Sequence, residues 1–499
     1  MLFQQRLRLI RFFYRDGVME GKNRVLLINP LLIRPVVGPI AFDYVGHALI
    51  TAGYMIDLLD HSFSDLKNLL EAYFRNKTPL AIGLTIRNTD DCYFQSQHSF
   101  LDEIKELVGF LKSIQSAPII LGGVGFSIAP EAILKFCGAD FGVHGEGEAA
   151  LPSLLKALQT DKIFSKIPNL IYQKSGKYIH NPLKFLDLTE MTPTRDIIDN
   201  FQYFREGGQG NIETKRGCDQ KCIYCADPVC KGNKIRLRDP AVVCAELKVL
   251  IDKGVTCFHL CDSEFNNSLS HAKEVCRVII EEGLSSQMTW YAYCAPRPFD
   301  KNLAQLMKEA GCVGINFGVD SGDDNMLKTL RRTHRRHDIT LIVDLCKQNK
   351  IAIMLDLLIG GPGETPASVE HTITLMREIH PDRVGFSIGV RIYPMTELAR
   401  LIQADGPLSQ NPNIRGVIED NPEFLKPIFY LSSELGGNSI FSFIEHLIGT
   451  DPLFFFANPA DKNRNYNYNE NQILVDAIQR GYRGAYWDIL RKLQNNEPP

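Results

Sequence analysis

The chain has 499 residues, enough for two or three domains, and its 44% hydrophobic content is normal for well-packed cores. A net charge of −3 gives no overall attraction to nucleic acid, so we expect no nucleic-acid partner. The thirteen cysteines are odd in number and scattered, and we see no secretory leader. We therefore expect no disulfide framework and a reducing compartment, the cytoplasm.

Residues 1–23 form a basic, amphipathic start to the chain. Its cations stand among apolar residues, at Arg6, Arg8, Arg11 and Arg15. The pattern predicts a helix that packs on its own protein, with peripheral contact to a membrane surface as the alternative. No uninterrupted apolar run reaches spanning length, so we expect no transmembrane segment.

Residues 24–167 alternate short apolar runs with helical patterns. The predicted strands are Val25–Asn29, Tyr54–Asp60, Ala81–Ile86, Pro118–Leu121 and Phe141–His144. Strands that alternate with helices imply a doubly wound, Rossmann-like parallel sheet with right-handed crossovers. This region is therefore predicted to be an α/β domain.

Ligands of such sheets bind beyond the carboxyl ends of the strands. The candidate cofactor-binding residues at that edge are Asn29, Arg87, Asn88, Gly122, Gly123, Val124, Gly125, Gly145, Glu146, Gly147 and Glu148. Glycines there would let the backbone approach a bulky ligand closely. The run Gly122–Gly125 is not G-x-G-x-x-G and follows the fourth strand, so it gives little support to a dinucleotide site.

Three regions follow the first domain. Residues 168–207 are polar and contain prolines, which predicts a linker. From 208 to about 408 the βα alternation resumes. Residues 409–499 have their own composition and predict a mostly helical domain that caps the barrel mouth, where Tyr466 and Tyr468 could face a substrate.

Three cysteines near the start of the second region stand at C-x3-C-x2-C spacing. They are Cys218, Cys222 and Cys225, with Tyr224 just before the last. Three thiolates on one loop can hold three corners of a 4Fe-4S cluster and leave the fourth iron open. The alternatives are a zinc loop, with Cys230 as a fourth ligand, or cysteines that are merely buried.

This cysteine motif resembles that of radical S-adenosylmethionine (SAM) enzymes, in which the open iron binds SAM. The doubly wound domain before it, with its Gly-Gly loop and Gly145-Glu-Gly-Glu148 run, resembles the cobalamin-binding domain of the cobalamin-dependent radical SAM class. The resemblance implies a 4Fe-4S cluster, SAM and cobalamin as cofactors. It also implies a partial TIM-like (β/α) barrel with its site at the carboxyl ends of the strands.

Two strand ends of the second domain match SAM-contacting elements of that class. Asp262 and Glu264 follow a strand that would meet the SAM amino group, where carboxylates accept hydrogen bonds from a cation. Asp320 and Ser321 resemble the E-S-G element, with Asp in place of Glu. The resemblance therefore implies SAM contacts for all four residues.

Two later segments complete the resemblance. The turn that would pack beside adenine consists of Gly360, Gly361, Pro362, Gly363 and Glu364. Arg391 and Tyr393 match the R-x-Y-P-G-T element of the last strand, where Met395 replaces the glycine. That replacement is tolerable only if the turn needs no positive φ.

The first domain lacks the D-x-H-x-x-G motif that supplies a lower His ligand to cobalt, so we expect cobalamin to bind base-off. Arg87 is our candidate for the lower cobalt face and the predicted catalytic residue, because an arginine has no lone pair for a metal. An open lower face would ease methyl transfer. The alternative is that Arg87 pairs with Asp90 or Asp91. The basic run Arg331–Arg336 could hold an anionic group or be a solvated helix end.

By resemblance, the predicted function is methyl transfer from SAM through methylcobalamin to an unactivated carbon of a small-molecule, natural-product or lipid substrate, by radical or polar chemistry. An electron donor such as flavodoxin or ferredoxin and a monomeric state are also expected. One alternative is ring contraction, cyclisation or C–C bond formation with the same cofactors. Another is a cobalamin-binding sensor or carrier with a vestigial cluster. An RNA-modifying role is not supported, because the sequence shows no appended basic RNA-binding module.

Overall fold

The structure is a computed structural model that describes residues 11–12, 23–456 and 471–499. Most of the predicted N-terminal helix, together with Tyr466 and Tyr468, lies outside the described residues. Among the described residues, no helix is both long and apolar enough to cross a membrane.

The first domain is a twisted sheet with helices on both faces. Its strands are β1 (Arg11–Phe12), β2 (Arg24–Asn29), β3 (Met55–Asp60), β4 (Ala81–Thr85), β5 (Ile119–Gly122), β6 (Phe141–Val143), β7 (Leu170–Lys174) and β8 (Lys177–His180). Its helices are α1 (Ala41–Thr51), α2 (Leu66–Phe74), α3 (Leu101–Ile114), α4 (Val124–Ile128), α5 (Pro130–Cys137) and α6 (Ala150–Gln159).

The strand order among the described residues is β1-β3-β2-β4-β5-β6-β7-β8. Strands β2 to β6 pair in parallel, which confirms the predicted doubly wound sheet. Helices α1 and α6 pack in one apolar core, and α2, α3 and α5 pack in another on the opposite face. Successive strands are added on one side of β2 at β3 and on its other side from β4 onward, so a ligand crevice is expected between β2 and β4.

Two predictions for this region were wrong. Arg11 and Phe12, placed in the predicted helix, form strand β1 and pair antiparallel with β3. The first part of the predicted linker forms strands β7 and β8, an antiparallel hairpin that extends the sheet from β6. The later part contains helix α7 (Asn200–Gly207). Backbone pairing with an existing sheet edge overrode the weak local pattern in both places.

The second domain is an open barrel of parallel strands. Its strands are β9 (Gly210–Ile212), β12 (Cys257–Leu260), β13 (Thr289–Cys294), β14 (Cys312–Asp320), β15 (Ala352–Ile359), β16 (Arg383–Ile388) and β20 (Phe454–Phe455). Short strands elsewhere are β10 (Lys215–Arg216), β11 (Arg236–Leu237), β17 (Val390–Arg391), β18 (Ile414–Gly416) and β19 (Ile428–Tyr430). The helices are α8 (Asp227–Lys231), α9 (Pro240–Asp252), α10 (Leu269–Glu281), α11 (Lys301–Glu309), α12 (Asp324–Thr329), α13 (Arg336–Gln348), α14 (Pro366–Ile379) and α15 (Glu397–Ala404).

Barrel strands follow one another in chain order, β9-β12-β13-β14-β15-β16, and β20 adds to the far edge. Every pairing in this sheet is parallel. The barrel is therefore partial, as predicted, with its carboxyl strand ends on one side.

The C-terminal region adds helices α16 (Ile440–Ile448), α17 (Gln472–Gln479) and α18 (Tyr486–Gln494). Asp488 accepts a hydrogen bond of 2.7 Å from the Tyr291 hydroxyl, and Arg383 donates to Gln494 at 2.7 Å. Arg383 begins β16 and Tyr291 lies in the first half of β13, so α18 closes the amino end of the barrel. The prediction that this region caps the mouth was wrong for α18.

A buried polar network joins the two domains. Arg195 is 1% exposed and pairs with Asp43 of α1 at 3.2 Å and with Glu246 of α9 at 3.0 Å. Arg238 also reaches Glu246, at 2.6 Å. Because buried charges are tolerated only when paired, this network fixes one orientation of the first domain against the barrel.

Candidate active site

A pocket opens between the first-domain sheet and helices α1 and α6; we call it the first-domain pocket. It is lined by residues from β2, β4, β5 and β6, among them Leu27, Gly83, Thr85, Gly122, Gly123, Val143, Gly145 and Gly147. Most of its wall is apolar side chain or glycine backbone. Such a pocket suits a bulky ligand that enters through the carboxyl edge of the sheet.

The glycine run after β5 packs against the loop after β4. Gly123 has φ +101°, and a Cβ there would lie 2.5 Å from the Ile86 carbonyl oxygen. A Cβ at Gly125 would lie 3.0 Å from the backbone of both Arg87 and Asn88. These glycines are therefore required for close backbone approach, which shapes the pocket rim, while Val124 is 43% exposed beside them.

Residues 87–98, the β4 loop, extend from the first domain to the barrel. Arg391 donates to the buried Asp90 from Nε and Nη2 at 3.0 and 2.8 Å. The Tyr393 hydroxyl lies 2.8 Å from the Cys92 sulfur. Arg391 of β17 and the nearby Tyr393 thus anchor the β4 loop to the segment that follows barrel strand β16, and their role as cofactor contacts stays a prediction.

Arg87 is exposed at the start of the β4 loop. It makes no hydrogen bond or ion pair with any described residue, because Asp90 binds Arg391 and Asp91 accepts from Ser96. Burial raises the pKa of Tyr293 to about 12, and the Arg87 charge acts in the opposite direction. The side chain therefore stands within electrostatic range of the barrel interior.

The inner face of the barrel sheet carries a group of polar side chains that the sequence did not reveal, and we call the space they face the chamber. Tyr293 is 45% exposed although it lies within β13, and its ring packs on His259 at 4.6 Å between centroids. The side-chain oxygens of Asn316 and Tyr93 are buried without a hydrogen-bond partner. Unpartnered buried polar groups are costly, so these atoms indicate a site for a polar ligand.

The three motif cysteines lie on the loop between β10 and α8. Burial raises the pKa of Cys218 to about 11 and also raises those of Cys222 and Cys225, so iron must displace their protons. Among the described residues, no three His, Cys, Asp or Glu side chains converge as they would around a single ion. Cys230 donates to the Val124 carbonyl at 3.4 Å and lines the first-domain pocket instead.

Two observations test whether this loop fits a cluster. Lys215 is 2% exposed and its Nζ has no hydrogen-bond partner, and its charge lowers the pKa of the neighbouring Cys218 against the larger effect of burial. Asn267 donates to the Cys218 sulfur at 3.5 Å. An orphaned buried cation beside thiols fits a group that carries negative charge, as a thiolate-bound cluster does.

Two residues predicted as SAM contacts also bond other parts of the protein. Asp262 accepts hydrogen bonds from the Thr214 amide and hydroxyl and from the Lys215 amide, at 2.5 to 3.2 Å, so this carboxylate fixes the start of the cysteine loop. Ser321 is fully buried and bonds Thr372 of α14 at 3.1 Å. These bonds hold both side chains in place, and their contact with SAM stays a prediction.

Asp320 and Glu264 lie together at the barrel mouth. The Tyr224 hydroxyl donates to Asp320 at 2.6 Å, and Asp320 adopts φ +64°. Both carboxylates pair with Arg332, at 3.2 Å for Asp320 and 3.1 Å for Glu264. The sequence did not predict that Arg332, part of the basic run, lies at this site. Its position after a helix suggested a solvated helix end.

The acidic run of the first domain faces barrel cations. Glu146 accepts from Arg236 at 2.6 Å, and Glu148 accepts from Arg216 at 2.7 Å. Arg216 also lies over the Tyr44 ring at 4.8 Å. The predicted cofactor-binding carboxylates are thus neutralised at the rim of the first-domain pocket.

Asn29, a predicted cofactor-binding residue, is buried and bonds three protein side chains. Its amide nitrogen donates to Asp60, Ser62 and Tyr203 at 2.9 to 3.1 Å. Tyr203 belongs to α7, so the contact ties the sheet edge to the segment before the barrel.

The turn from Gly360 to Glu364 folds on itself. Glu364 is fully buried and accepts hydrogen bonds from the Gly360 and Gly361 amides. Its second oxygen has no partner, and burial raises its pKa to about 7. Met395 adopts φ +66°, so the last-strand turn does need the conformation that glycine favours.

Two domain families match the chain. The B12 binding domain model matches residues 32–155, and the Radical SAM superfamily model matches residues 212–376. The chain therefore contains a B12 binding domain followed by a radical SAM domain, the pair of domains that the resemblance implied.

A curated relative and a solved structure align with nearly the whole chain. Tryptophan 2-C-methyltransferase from Streptomyces laurentii is 29% identical, over 94% of this chain and 96% of that protein. The radical SAM methyltransferase TsrM from Kitasatospora setae, with tryptophan and a SAM analogue (aza-SAM) bound, has a TM-score of 0.88 at 28% identity, covering 95% of this chain and 99% of that one. TsrM with cobalamin and a [4Fe-4S] cluster bound has a TM-score of 0.86 at 27% identity, covering 95% and 98%.

Proposed function

We propose that the chain is a cobalamin-dependent radical SAM C-methyltransferase that acts on a small aromatic molecule. Its similarity to tryptophan 2-C-methyltransferase extends over 94% of the chain, so it includes both domains and the C-terminal helices. L-Tryptophan is the first substrate to test. The proposal extends the sequence prediction, which left the substrate open.

One observation carries the proposal: the β4 loop spans the two domains. Arg391 of β17 binds Asp90 of this loop, and Arg87 at its start acts on the pKa of Tyr293 inside the chamber. The rim of the first-domain pocket and the chamber are thus neighbours, and Arg216 and Cys230, on either side of the cysteine loop, also line that pocket. Group transfer between two cofactors and a substrate needs such proximity.

Each proposed cofactor has residues that fit it. The first-domain pocket would hold cobalamin, and Cys218, Cys222 and Cys225 would hold the cluster. When bound, cobalamin supplies a cobalt that carries a methyl group, and the cluster supplies an open iron for SAM. Glu264 and the Gly360–Glu364 turn are the proposed SAM contacts that the structure leaves near the barrel mouth.

Arg87 is the proposed catalytic residue. It offers only N–H donors and cannot ligate a metal. With no carboxylate partner of its own, it presents a full positive charge between the pocket rim and the chamber. A cation at this place would disfavour further positive charge and would offer a bound cobalt no lone pair.

The chamber is the proposed substrate site. The His259 and Tyr293 rings offer faces on which an aromatic substrate can pack. Burial lowers the pKa of His259 to about 4, so this imidazole is neutral at pH 7. The free oxygens of Asn316 and Tyr93 provide hydrogen-bond partners for the polar edge of the substrate.

The test is a methyl-transfer assay with the anaerobically reconstituted chain, hydroxocobalamin, methyl-deuterated SAM and L-tryptophan. We expect a product heavier by one labelled methyl group, lost in Cys222→Ala and strongly reduced in Arg87→Gln. Asn325, a solvent-facing residue beyond the strand ends, offers Asn325→Ala as a control with full activity. If cobalamin and cluster bind and no aromatic amino acid is methylated, the proposed substrate class is wrong.

The electron donor, the oligomeric state and the cellular compartment are also proposals. We propose that flavodoxin or ferredoxin supplies electrons and that the chain acts as a monomer in the cytoplasm. All thirteen cysteines are free thiols, which supports a reducing compartment. Mass determination in solution and a reduction assay with each donor test these points.

A further inference from the structure

We propose that Arg332 is a positioning residue for the iron–sulfur cluster, which fixes the Cys222 end of the cysteine loop and raises the reduction potential of the bound cluster. The inference rests on the proposed cluster site and goes beyond the methyl transfer itself. It assigns a role to the basic run Arg331–Arg336, which sequence analysis left open.

The guanidinium of Arg332 contacts three separate parts of the site. Nη1 donates to the Cys222 sulfur at 3.0 Å, and Nη2 pairs with Glu264 at 3.1 Å. Nε lies 3.2 Å from Asp320. The side chain is 7% exposed, so these contacts are made away from solvent. A planar fork with donors in fixed directions can serve all three, whereas a single ammonium cannot.

Asp320 extends this control to the middle of the cysteine loop. It accepts a hydrogen bond of 2.6 Å from the hydroxyl of Tyr224, which lies between Cys222 and Cys225 in the sequence. Arg332 therefore acts on the loop twice, directly through Cys222 and indirectly through Asp320 and Tyr224. Removal of the guanidinium would remove both the direct and the indirect contact to the cysteine loop.

The segment that carries Arg332 is itself well fixed. The Ile223 amide donates to the Leu330 carbonyl at 3.3 Å, which joins the cysteine loop to this segment. His334 donates to the Val319 carbonyl at 2.9 Å and is fully buried. A side chain on such a rigid segment can hold a ligand loop to a narrow geometry.

Charge explains the effect on potential. Three thiolates, Glu264 and Asp320 place negative charge around the loop, and a one-electron reduction of the cluster adds another. Net charge and hydrogen bonds to the sulfurs are among the factors that set iron–sulfur potentials. A buried cation that donates to a cysteine sulfur favours the reduced state on both counts.

Neighbouring Arg331 provides a matched control. It is also an arginine of the same run, but its side chain is 51% exposed and pairs with Glu397 at 3.1 Å. Arg331→Gln removes the same charge from the same segment without a contact to the cysteine loop. An exposed charge is screened by water and salt, so little change in the potential is expected.

The experiment is an anaerobic redox titration of the reconstituted full chain, followed by the electron paramagnetic resonance signal of the reduced cluster. Iron content and thermal melting are measured on the same samples. We expect a more negative potential in Arg332→Gln, a smaller negative shift in Arg332→Lys and no shift in Arg331→Gln.

The outcomes distinguish a failure of the proposed Arg332 role from a failure of the proposed cluster site. A wild-type potential in an iron-loaded Arg332→Gln or Arg332→Lys protein would overturn the role of Arg332. If Arg332→Gln fails to fold or load iron, Arg332→Lys decides alone by the same criterion. If the wild-type chain itself binds no cluster, the proposed function fails first and this inference fails with it.

Discussion

The first-domain pocket and the cysteine loop are built from opposite kinds of residue. Apolar side chains and glycine backbone form the pocket, and Gly123 is needed because a Cβ would strike the Ile86 carbonyl. Paired charges surround the cysteine loop, with Arg332 between Glu264 and Asp320. The backbone conformation of a glycine-lined pocket is determined by neighbouring residues in the sequence. The role of a charged side chain depends instead on partners that are distant in the sequence.

The largest expected effect tests whether the two sites are independent. Cys225→Ala should lose the cluster, so that bound iron falls to background, while the corrinoid retained after desalting stays at the wild-type level. The reason is that a thiolate ligand is removed without a change in the first-domain pocket. Iron analysis and the visible spectrum measure both.

Cys230→Ala is the matched control, because Cys230 is another buried cysteine of the same segment that faces the first-domain pocket. It should keep its iron. Iron loss from Cys230→Ala, or full iron in Cys225→Ala, would contradict the ligand assignment.

The second prediction concerns the network that holds the two sites together. Arg195→Met should lower the free energy of unfolding by about 3–5 kcal/mol, because Asp43 is left buried without its cation and Glu246 keeps only Arg238. Urea unfolding of the apoprotein measures the change.

Glu282→Gln is the control, because Glu282 forms an ion pair with Lys248 in which both side chains are exposed. Exposed pairs contribute about 0–1 kcal/mol. If Arg195→Met is no more destabilising than this control, the network is not what fixes the domain orientation.

The third prediction uses pH on a buried group of the barrel mouth. Burial raises the pKa of Glu364 from 4.5 to about 7, against the opposing amides of Gly360 and Gly361. Between these values the folded chain keeps a proton that the unfolded chain loses, so stability falls as pH rises, by roughly 3 kcal/mol in total.

Glu364→Gln, which stays neutral, should lack this slope. The measurement is the difference in unfolding free energy between wild type and variant at about pH 4 and about pH 8. Parallel pH profiles for the two proteins would show that Glu364 titrates normally.

Backbone features were predictable from the sequence. The alternation of strands and helices, the glycine loop at Gly122–Gly125 and the cysteine spacing of Cys218–Cys225 each depend on residues close together in the chain. Hydrophobic periodicity and turn chemistry act over a few residues, so one sequence is enough to read them.

The roles of charged residues were less predictable. Arg391 stands in a motif that suggested a ligand contact, yet it binds Asp90 of the other domain. Both side-chain oxygens of Asp262 likewise accept hydrogen bonds from Thr214, at the start of the cysteine loop. Arg332 looked like a solvated helix end until its three partners were seen together. These choices are made by tertiary structure, which no local pattern encodes.

The smallest expected effect asks whether backbone geometry is as strictly specified in the barrel as in the first domain. Met395 adopts φ +66° with 55% of its surface exposed, so its side chain gains little from burial. A non-glycine residue in this conformation costs about 1 kcal/mol, so Met395→Gly should raise the free energy of unfolding by about that amount. Met395→Ala keeps the strained Cβ and should give no gain in urea unfolding. Equal stability of the two variants would mean that this turn relaxes around any side chain, and that the glycine rule of the first-domain pocket does not extend to the barrel.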